Sequence, residues 1–244
     1  MEEPRNPPLT MLYNIYIDYR APVAAPIVRA KLVGIENARH VICIGDSIAA
    51  GAHTPARLFH NNDSESWCGL LRQQFGTRIT FVNQAAPEVS IGNANYQLMD
   101  SKIDTAIIAF GMNDHVVGLS ALPLFKAHLD ALVKKVRNEG AAAIILGFFQ
   151  ENPLWIRERS TDTLAYNDAI RQVARQNHVP FVDVRRAFDR VAGSQQSWYE
   201  LTADFLHHPN IYGQRVYFSL LAPYFLKHDE PVAELPKYVI GAEQ

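Results

Sequence analysis

The residues able to do chemistry stand at four remote points of the chain. Gly45-Asp46-Ser47 leaves the apolar run Val41-Ile42-Cys43-Ile44, and Asn83 closes a second apolar run. Gly111-Met112-Asn113-Asp114 follows a third, and Asp204 and His207 lie near the end. A serine hydroxyl is a weak nucleophile at neutral pH unless a base takes its proton. An imidazole is that base when a carboxylate holds its other nitrogen. Asparagine amides and backbone N–H groups stabilise the charge that develops on an attacked carbonyl oxygen. Gathered at one place, these types supply a nucleophile, a base, an orienter and an oxyanion hole, which is the machinery of acyl transfer.

Each residue has a local reason for its place. Gly45 lets the chain turn sharply after the strand, and Asp46 braces that turn through its side chain. A serine in such a turn also suits a helix N-cap, so Ser47 gains its meaning from the other segments. Asp204 precedes His207 by three residues, a spacing at which one tight turn brings the carboxylate to Nδ1–H and leaves Nε2 for the serine. His208 is adjacent and points elsewhere, so only one of the two is the base. The spacing favours His207 and leaves His208 to pack or hydrogen-bond beside it. Asn83 and Asn113 both end apolar runs, where asparagine also serves turns. The expected oxyanion donors are the Ser47 N–H, the Ala85 N–H and the Asn113 side chain.

These segments need a scaffold that brings them to one rim. Near-continuous apolar runs at 41–44, 79–82, 105–110, 143–148 and 181–184 read as strands covered on both faces. Helical stretches at 66–75, 92–99, 121–137 and 161–176 separate them, and a last helix at 212–226 closes the unit. The clearest stripe is Leu122, Phe125, Leu129, Leu132 and Val136, spaced for one helix face. Five strands with interleaved helices imply an α/β fold, a parallel sheet in a three-layer α/β/α sandwich. Its chemistry belongs at the carboxyl ends of the strands. Residues 1–37 break this rhythm. Period-two alternation from Met11 to Tyr19 and a second run at 27–33 predict an N-terminal β-hairpin extension. The main domain would then span 38–228, with a tail at 229–244.

Composition narrows the partners. The chain has 244 residues, 48% hydrophobic and 20% charged, with a net charge of −2. That size holds one substantial core, and the charge gives no attraction for nucleic acid. No apolar run reaches the ~20 residues of a membrane span. Met1-Glu2-Glu3-Pro4 lacks the layout of a secretory signal, so the expected location is the cytoplasm, or the periplasm or exterior where a signal has been removed. Cys43 and Cys68 are expected to be buried free thiols. No histidine cluster has metal-ligand spacing, and neither a dinucleotide glycine motif nor a P-loop lysine is present. No cofactor is therefore expected.

Gly45-Asp46-Ser47-Ile48, Asn83-Gln84-Ala85, Gly111-Met112-Asn113-Asp114 and Asp204-x-x-His207 resemble, in order, the four signature blocks of the SGNH/GDSL hydrolase superfamily. The resemblance covers roughly residues 38–228. It implies a flavodoxin-like fold and metal-independent ester hydrolysis, with Ser47 as nucleophile, His207 as base and Asp204 as its partner. Ala85 stands where the second block usually has glycine. The donor there is a backbone N–H, which alanine retains, though alanine tolerates positive φ less well. His207-His208-Pro209-Asn210 is similar to the carbohydrate esterases of the superfamily, which points to short acyl groups, O-acetyl on a sugar among them. Trp155, Trp198 and Tyr199 are candidates to line such a pocket. An acyltransferase using the same acyl-serine and a non-catalytic carbohydrate-binding module are the alternatives; the oligomeric state is not legible.

Overall fold

Short runs of β-branched and small apolar residues become five parallel strands, and the polar-faced stretches between them become the helices that cover the sheet. The computed structural model describes residues 35, 37–96, 102–152, 160–192, 201–204 and 206–226. The strands are β1 (His40–Gly45), β2 (Thr80–Asn83), β3 (Thr105–Ala109), β4 (Ala142–Leu146) and β5 (Phe181–Val182). The helices are α1 (Pro55–His60), α2 (Trp67–Phe75), α3 (Leu122–Asn138), α4 (Ser160–Gln176), α5 (Val184–Ala192) and α6 (Ile211–Leu221). Strand order is β2-β1-β3-β4-β5, all parallel, the flavodoxin-like arrangement. The chain moves outward from β1 to β2 and then the opposite way through β3, β4 and β5. With right-handed crossovers, that reversal sends α2 to one face and α3 and α4 to the other. Accordingly α3 packs on α4, while α2 and α5 pack on α6.

The core follows from the sequence pattern. Val41, Ile42, Cys43 and Ile44 of β1 are all buried, as are Ala106, Ile107 and Ile108 of β3. Phe125, Leu129, Leu132, Val133 and Val136 form the buried stripe of α3. Side-chain caps start the helices where the sheet needs them. Thr54 caps α1, Ser66 caps α2, and Asn210 caps α6 by accepting from the N–H groups of Tyr212 and Gly213. Each such cap contributes about 1 kcal/mol.

Some expectations change. The helix expected at 92–99 is absent over its described part, because residues 91–93 are turn and 94–96 irregular. Gly92, Asn93 and Asn95 are weak helix formers that favour turns. Among the described residues two α-helices escaped the reading: α1, six residues long, and α5, whose polar faces hide a short buried edge. The expected hairpin within 1–37, apart from residues 35 and 37, and the tail at 229–244 lie outside the described residues, as do Trp155, Trp198 and Tyr199.

Cys43 and Cys68 are joined in a disulfide, which corrects the expectation of free thiols. Cys43 lies in β1, between β2 and β3, and Cys68 in the first turn of α2; packing brings their Cα atoms to 6.4 Å, within bridging range. Sequence separation alone could not reveal that α2 lies on the strand at this point.

Two acids are buried at the carboxyl edge. Asp46 accepts from the Ile48 N–H at 3.0 Å, and Asp114 accepts from the Ile91 N–H at 3.0 Å. Burial pushes the Asp46 carboxyl up to about 7, with the nearby Asp114 adding to the effect. Burial likewise pushes Asp114 up to about 6.

Two tests follow from this packing. The disulfide closes a separation of 25 residues, a constraint worth roughly 3 kcal/mol by loop entropy. Reductant, or Cys68→Ala, should move the denaturant midpoint down by a corresponding amount, and an unmoved midpoint would refute the bridge. Asp46 binds its proton more tightly folded than unfolded, so its contribution to stability declines as pH rises from about 4 to about 7. Asp46→Asn keeps the acceptor for Ile48 and removes the charge. It should stabilise the protein at pH 8 by up to about 4 kcal/mol and have little effect at pH 4. Equal effects at the two pH values, by isothermal denaturation, would contradict this.

Candidate active site

Ser47 owes its position to the end of β1. Gly45 pairs with Ala109 across the β1–β3 ladder, and a Cβ at Gly45 would come within 2.5 Å of the Ala109 carbonyl oxygen. Only glycine lets the two strand ends lie this close. The chain then coils: Ala50 N–H donates to Asp46 O at 3.0 Å and Ala52 N–H to Ser47 O at 2.9 Å. This turn leaves the Ser47 hydroxyl at the sheet rim, in a residue only 5% exposed.

The imidazole that meets it belongs to His208. Its Nε2 lies 3.0 Å from Ser47 Oγ, and its Nδ1 lies 2.5 Å from Asp204 Oδ2. The sequence expectation put His207 in this place, and the geometry replaces it. The reason lies in the other oxygen of Asp204. Oδ1 accepts from the N–H groups of Leu206 at 2.9 Å, His207 at 3.1 Å and His208 at 3.1 Å. These bonds draw the chain around the carboxylate as a tight loop, and the ring brought to the second oxygen is that of the i+4 residue. The carboxylate therefore sits under His208. The His207 ring is turned aside and packs against His208 with ring centres 4.1 Å apart.

The electrostatics match this arrangement. Burial opposes the Asp204 charge, but the His208 ring and the Leu206 and His208 N–H groups outweigh it. They hold the carboxyl well below the usual carboxylate range. Burial, with the neighbouring His208 next, pushes His207 down to about 4. His207 thus stays neutral beside the ring that contacts serine.

The loop carrying these residues is clamped at both ends and in the middle. Thr202 and Pro209 form an antiparallel bridge, with Ala203 N–H donating to His208 O at 2.8 Å and Asn210 N–H to Leu201 O at 2.9 Å. The Asn152 N–H, beyond β4, holds Leu206 O at 2.8 Å. Gln214 is a further brace that the sequence reading missed. Fully buried on α6, it donates from Nε2 to Ile48 O at 3.0 Å and accepts the Trp67 N–H at 2.9 Å. One side chain thereby ties the helix after His208 to the turn carrying Ser47 and to the start of α2.

The expected oxyanion donors are differently placed. Asn113 Nδ2 donates to Val89 O at 2.9 Å, which uses one of its two N–H groups. Gly111 before it has φ +135°, and a Cβ there would strike the Phe148 ring. The Ala85 N–H donates to Asn83 Oδ1 at 3.1 Å. Asn83 also donates to Ala49 O and to Asp63 Oδ2, both at 2.9 Å, so it fastens the loop to the nucleophile turn. Ala85 is not among the residues with positive φ, so alanine sits there without the strain that glycine would relieve. The Ser47 N–H has no hydrogen-bond partner among the described residues.

Behind this rim lies a buried pair with no sequence signal. His115 Nε2 is 2.5 Å from Glu151 Oε1, and Nδ1–H donates to Met112 O at 2.6 Å. Burial disfavours the His115 charge, yet the Glu151 hydrogen bond and charge raise its proton affinity above the ordinary value. Glu151 also accepts from the Thr163 hydroxyl. The pair joins the loop of Asn113 to the loop of Asn152, and so to the Asp204–His208 turn.

His53, also missed, lies flat on the His208 ring with centres 4.2 Å apart and planes at 14°. Burial and then the neighbouring His208 lower its proton affinity. No helix among the described residues is long and apolar enough to cross a membrane.

Comparison with known proteins identifies the family and the fold. Residues 43–216 match the GDSL-like lipase/acylhydrolase family. Among solved structures, LAE5, an alpha/beta hydrolase enzyme from the metagenome of Lake Arreo, Spain, aligns with a TM-score of 0.63 at 23% identity, covering 78% of this chain and 98% of that one. Axe2, an acetylxylan esterase from Geobacillus stearothermophilus, aligns with a TM-score of 0.62 at 19% identity, covering 80% and 98%. The psychrotrophic esterase EstA from Pseudoalteromonas sp., in a structure inhibited by monoethylphosphonate, aligns with a TM-score of 0.57 at 18% identity, covering 75% and 94%. No curated protein matches in sequence. At these identities the structural likenesses speak for the fold, and the family match, which spans most of the chain, carries the assignment: the chain belongs to the GDSL-like lipase/acylhydrolase family and is a carboxylic ester hydrolase of the SGNH type.

Proposed function

We propose that the enzyme is a serine esterase that cleaves a short-acyl carboxylic ester, an O-acetyl group on a carbohydrate being the favoured case, through an acyl-serine intermediate. The observation that carries this reading is the His208 ring, 3.0 Å from Ser47 Oγ on one side and 2.5 Å from Asp204 on the other. With Nδ1–H donated to Asp204, the lone pair of Nε2 faces the serine hydroxyl. As Ser47 Oγ attacks the ester carbonyl, His208 takes its proton and Asp204 offsets the charge of the imidazolium. The oxyanion accepts from the Ser47 N–H and from the Asn113 amide. The Ala85 N–H joins them if the oxyanion displaces Asn83 Oδ1. Collapse of the tetrahedral adduct expels the alcohol, which leaves with the proton from His208. Water then enters, gives a proton to His208 and attacks the acyl carbonyl, so that the acid is released and Ser47 Oγ regains its hydrogen.

The family assignment supports the reaction class, and the likeness to an acetylxylan esterase supports an acetylated sugar as the substrate. Release of acetate from acetylated xylo-oligosaccharide, with no acylated sugar formed on adding an acceptor, is the expected product pattern. Transfer of the acetyl group to the acceptor instead would make the enzyme an acyltransferase.

Histidine variants give the sharpest test of roles. Ser47→Ala and His208→Ala should each abolish labelling by a fluorophosphonate probe and reduce p-nitrophenyl acetate hydrolysis by about 10⁴ or more. His207→Ala should retain activity within about tenfold, since its ring touches His208 and not Ser47. Loss of labelling in His207→Ala with retention in His208→Ala would reverse the assignment. Asn113→Ala should lower kcat by about 10²–10³, the usual loss for one oxyanion donor. An unchanged kcat would remove Asn113 from the hole.

A further inference from the structure

His53 occupies an unusual position for its residue type. Its φ is +65°, in the left-handed region that non-glycine residues enter rarely and at a cost of order 1 kcal/mol. Tight bonds hold the turn around it: Ala52 N–H to Ser47 O at 2.9 Å, Thr54 N–H to Gly51 O at 3.2 Å, and Thr54 Oγ1 to Gly51 O at 2.8 Å. The residue is exposed, yet its ring lies over the His208 imidazole rather than in solvent. One ligand atom each from His53, Asp204 and His208 falls within 4.8 Å of the others.

We propose that His53, Asp204 and His208 form a site for a borderline divalent cation of the Zn²⁺ class, and that occupation of this site switches the esterase off. Two imidazoles and one carboxylate with an open face are a donor set that suits zinc. Calcium and magnesium, which take several oxygens, are poorly served by it. Bonds of about 2.0–2.2 Å in a tetrahedral shell put ligand atoms roughly 3.4 Å apart. Asp204 Oδ2 and His208 Nδ1, 2.5 Å apart, therefore open by about an ångström as the ion replaces the proton between them, and His53 closes in. In stacked rings the lone pairs run side by side, and the exposed His53 ring turns about its Cβ–Cγ bond to aim at the ion.

The consequence is competition for one imidazole. An ion held with Asp204 sits on His208 Nδ1 and takes the place of the proton shared with Asp204. The ring's one proton then resides on Nε2, which has no lone pair left for Ser47, so the serine loses its base. Only N–H bonds of the imidazole change: the proton leaves Nδ1 and Nε2 gains one from water. The cation is an inhibitor here and takes no part in turnover.

The inference rests on the reading of His208 as the base, so the test separates the two. Zn²⁺ binding is measured directly on Ser47→Ala, which does no chemistry, by competition with a fluorescent zinc chelator. His53→Asn is added to that background, because asparagine accepts the left-handed backbone but supplies no imidazole. In parallel, hydrolysis of p-nitrophenyl acetate and fluorophosphonate labelling are followed with rising Zn²⁺. Each variant is normalised to its own zinc-free rate. We expect one saturable Zn²⁺ site on Ser47→Ala, weakened roughly tenfold or more by His53→Asn, a loss usual for a group that supports a bound metal. The zinc concentration that halves activity should rise by a similar factor in His53→Asn. EDTA should restore the rate, and Mg²⁺ or Ca²⁺ should not reduce it. Equal Zn²⁺ affinity with and without His53, or inhibition that ignores His53, overturns the proposal. Binding that depends on His53 in a protein that hydrolyses no ester and takes no probe supports the site and overturns the esterase reading instead.

Discussion

The two oxygens of Asp204 do different work, and the active-site arrangement depends on that division. Oδ1 gathers three successive backbone N–H groups and sets the path of the turn. Oδ2 holds the ring that this path brings overhead. A carboxylate that accepts several N–H bonds is stabilised in its charged form, so the residue that shapes the loop is also a strong partner for an imidazolium. Turn geometry and the choice of histidine are one event. With i+4 under the carboxylate and i+3 turned aside, the neighbouring histidines take different surroundings. One reaches serine, and the other is pressed into a site that keeps it neutral.

The rest of the molecule delivers Ser47 to that ring. The reversal of strand order between β1 and β3 opens a crevice at the carboxyl edge, where doubly wound sheets place their ligands. Close approach of β1 and β3 at Gly45 fixes where the nucleophile turn begins. Gln214 then fixes the distance from the far side, since one amide binds both the Ser47 turn and the helix following His208. The His115–Glu151 pair and the Asn152 N–H complete the frame from the loops after β3 and β4. Neighbours separated by more than a hundred residues are thus held by a few buried hydrogen bonds, which cost far more to break than exposed ones.

Most of the frame was legible in the sequence, because its signals are local. Runs such as Val41-Ile42-Cys43-Ile44 and the stripe from Phe125 to Val136 declare strand and helix by their own periodicity, and Ser47, Asn83 and Asn113 stand just beyond such runs. What failed to show depends on contacts across the fold. A count of three between Asp204 and His207 suits one tight turn, but the carboxylate draws the loop around itself and so selects His208. Cys43 and Cys68 looked like two buried thiols until helix packing put them side by side. His53 and Gln214 sit in stretches with no motif, and nothing in the sequence pairs His115, just past the third block, with Glu151. Their partners lie on other elements, and spacing along the chain carries no trace of them. The Ala85 N–H was expected to face the substrate, and the Asn83 side chain bends back to take it.

The central claim is that His208 donates its Nδ1–H to Asp204 in a hydrogen bond and thereby turns the Nε2 lone pair to Ser47. Proton NMR of the imidazole N–H region, on protein labelled with ¹⁵N in its histidine rings, observes that proton directly. The account predicts a strongly downfield Nδ1–H resonance, separate from those of the buried His115 ring, that disappears in His208→Gln and in Asp204→Asn but persists in His207→Gln. A resonance that survives in His208→Gln and is lost in His207→Gln would contradict it.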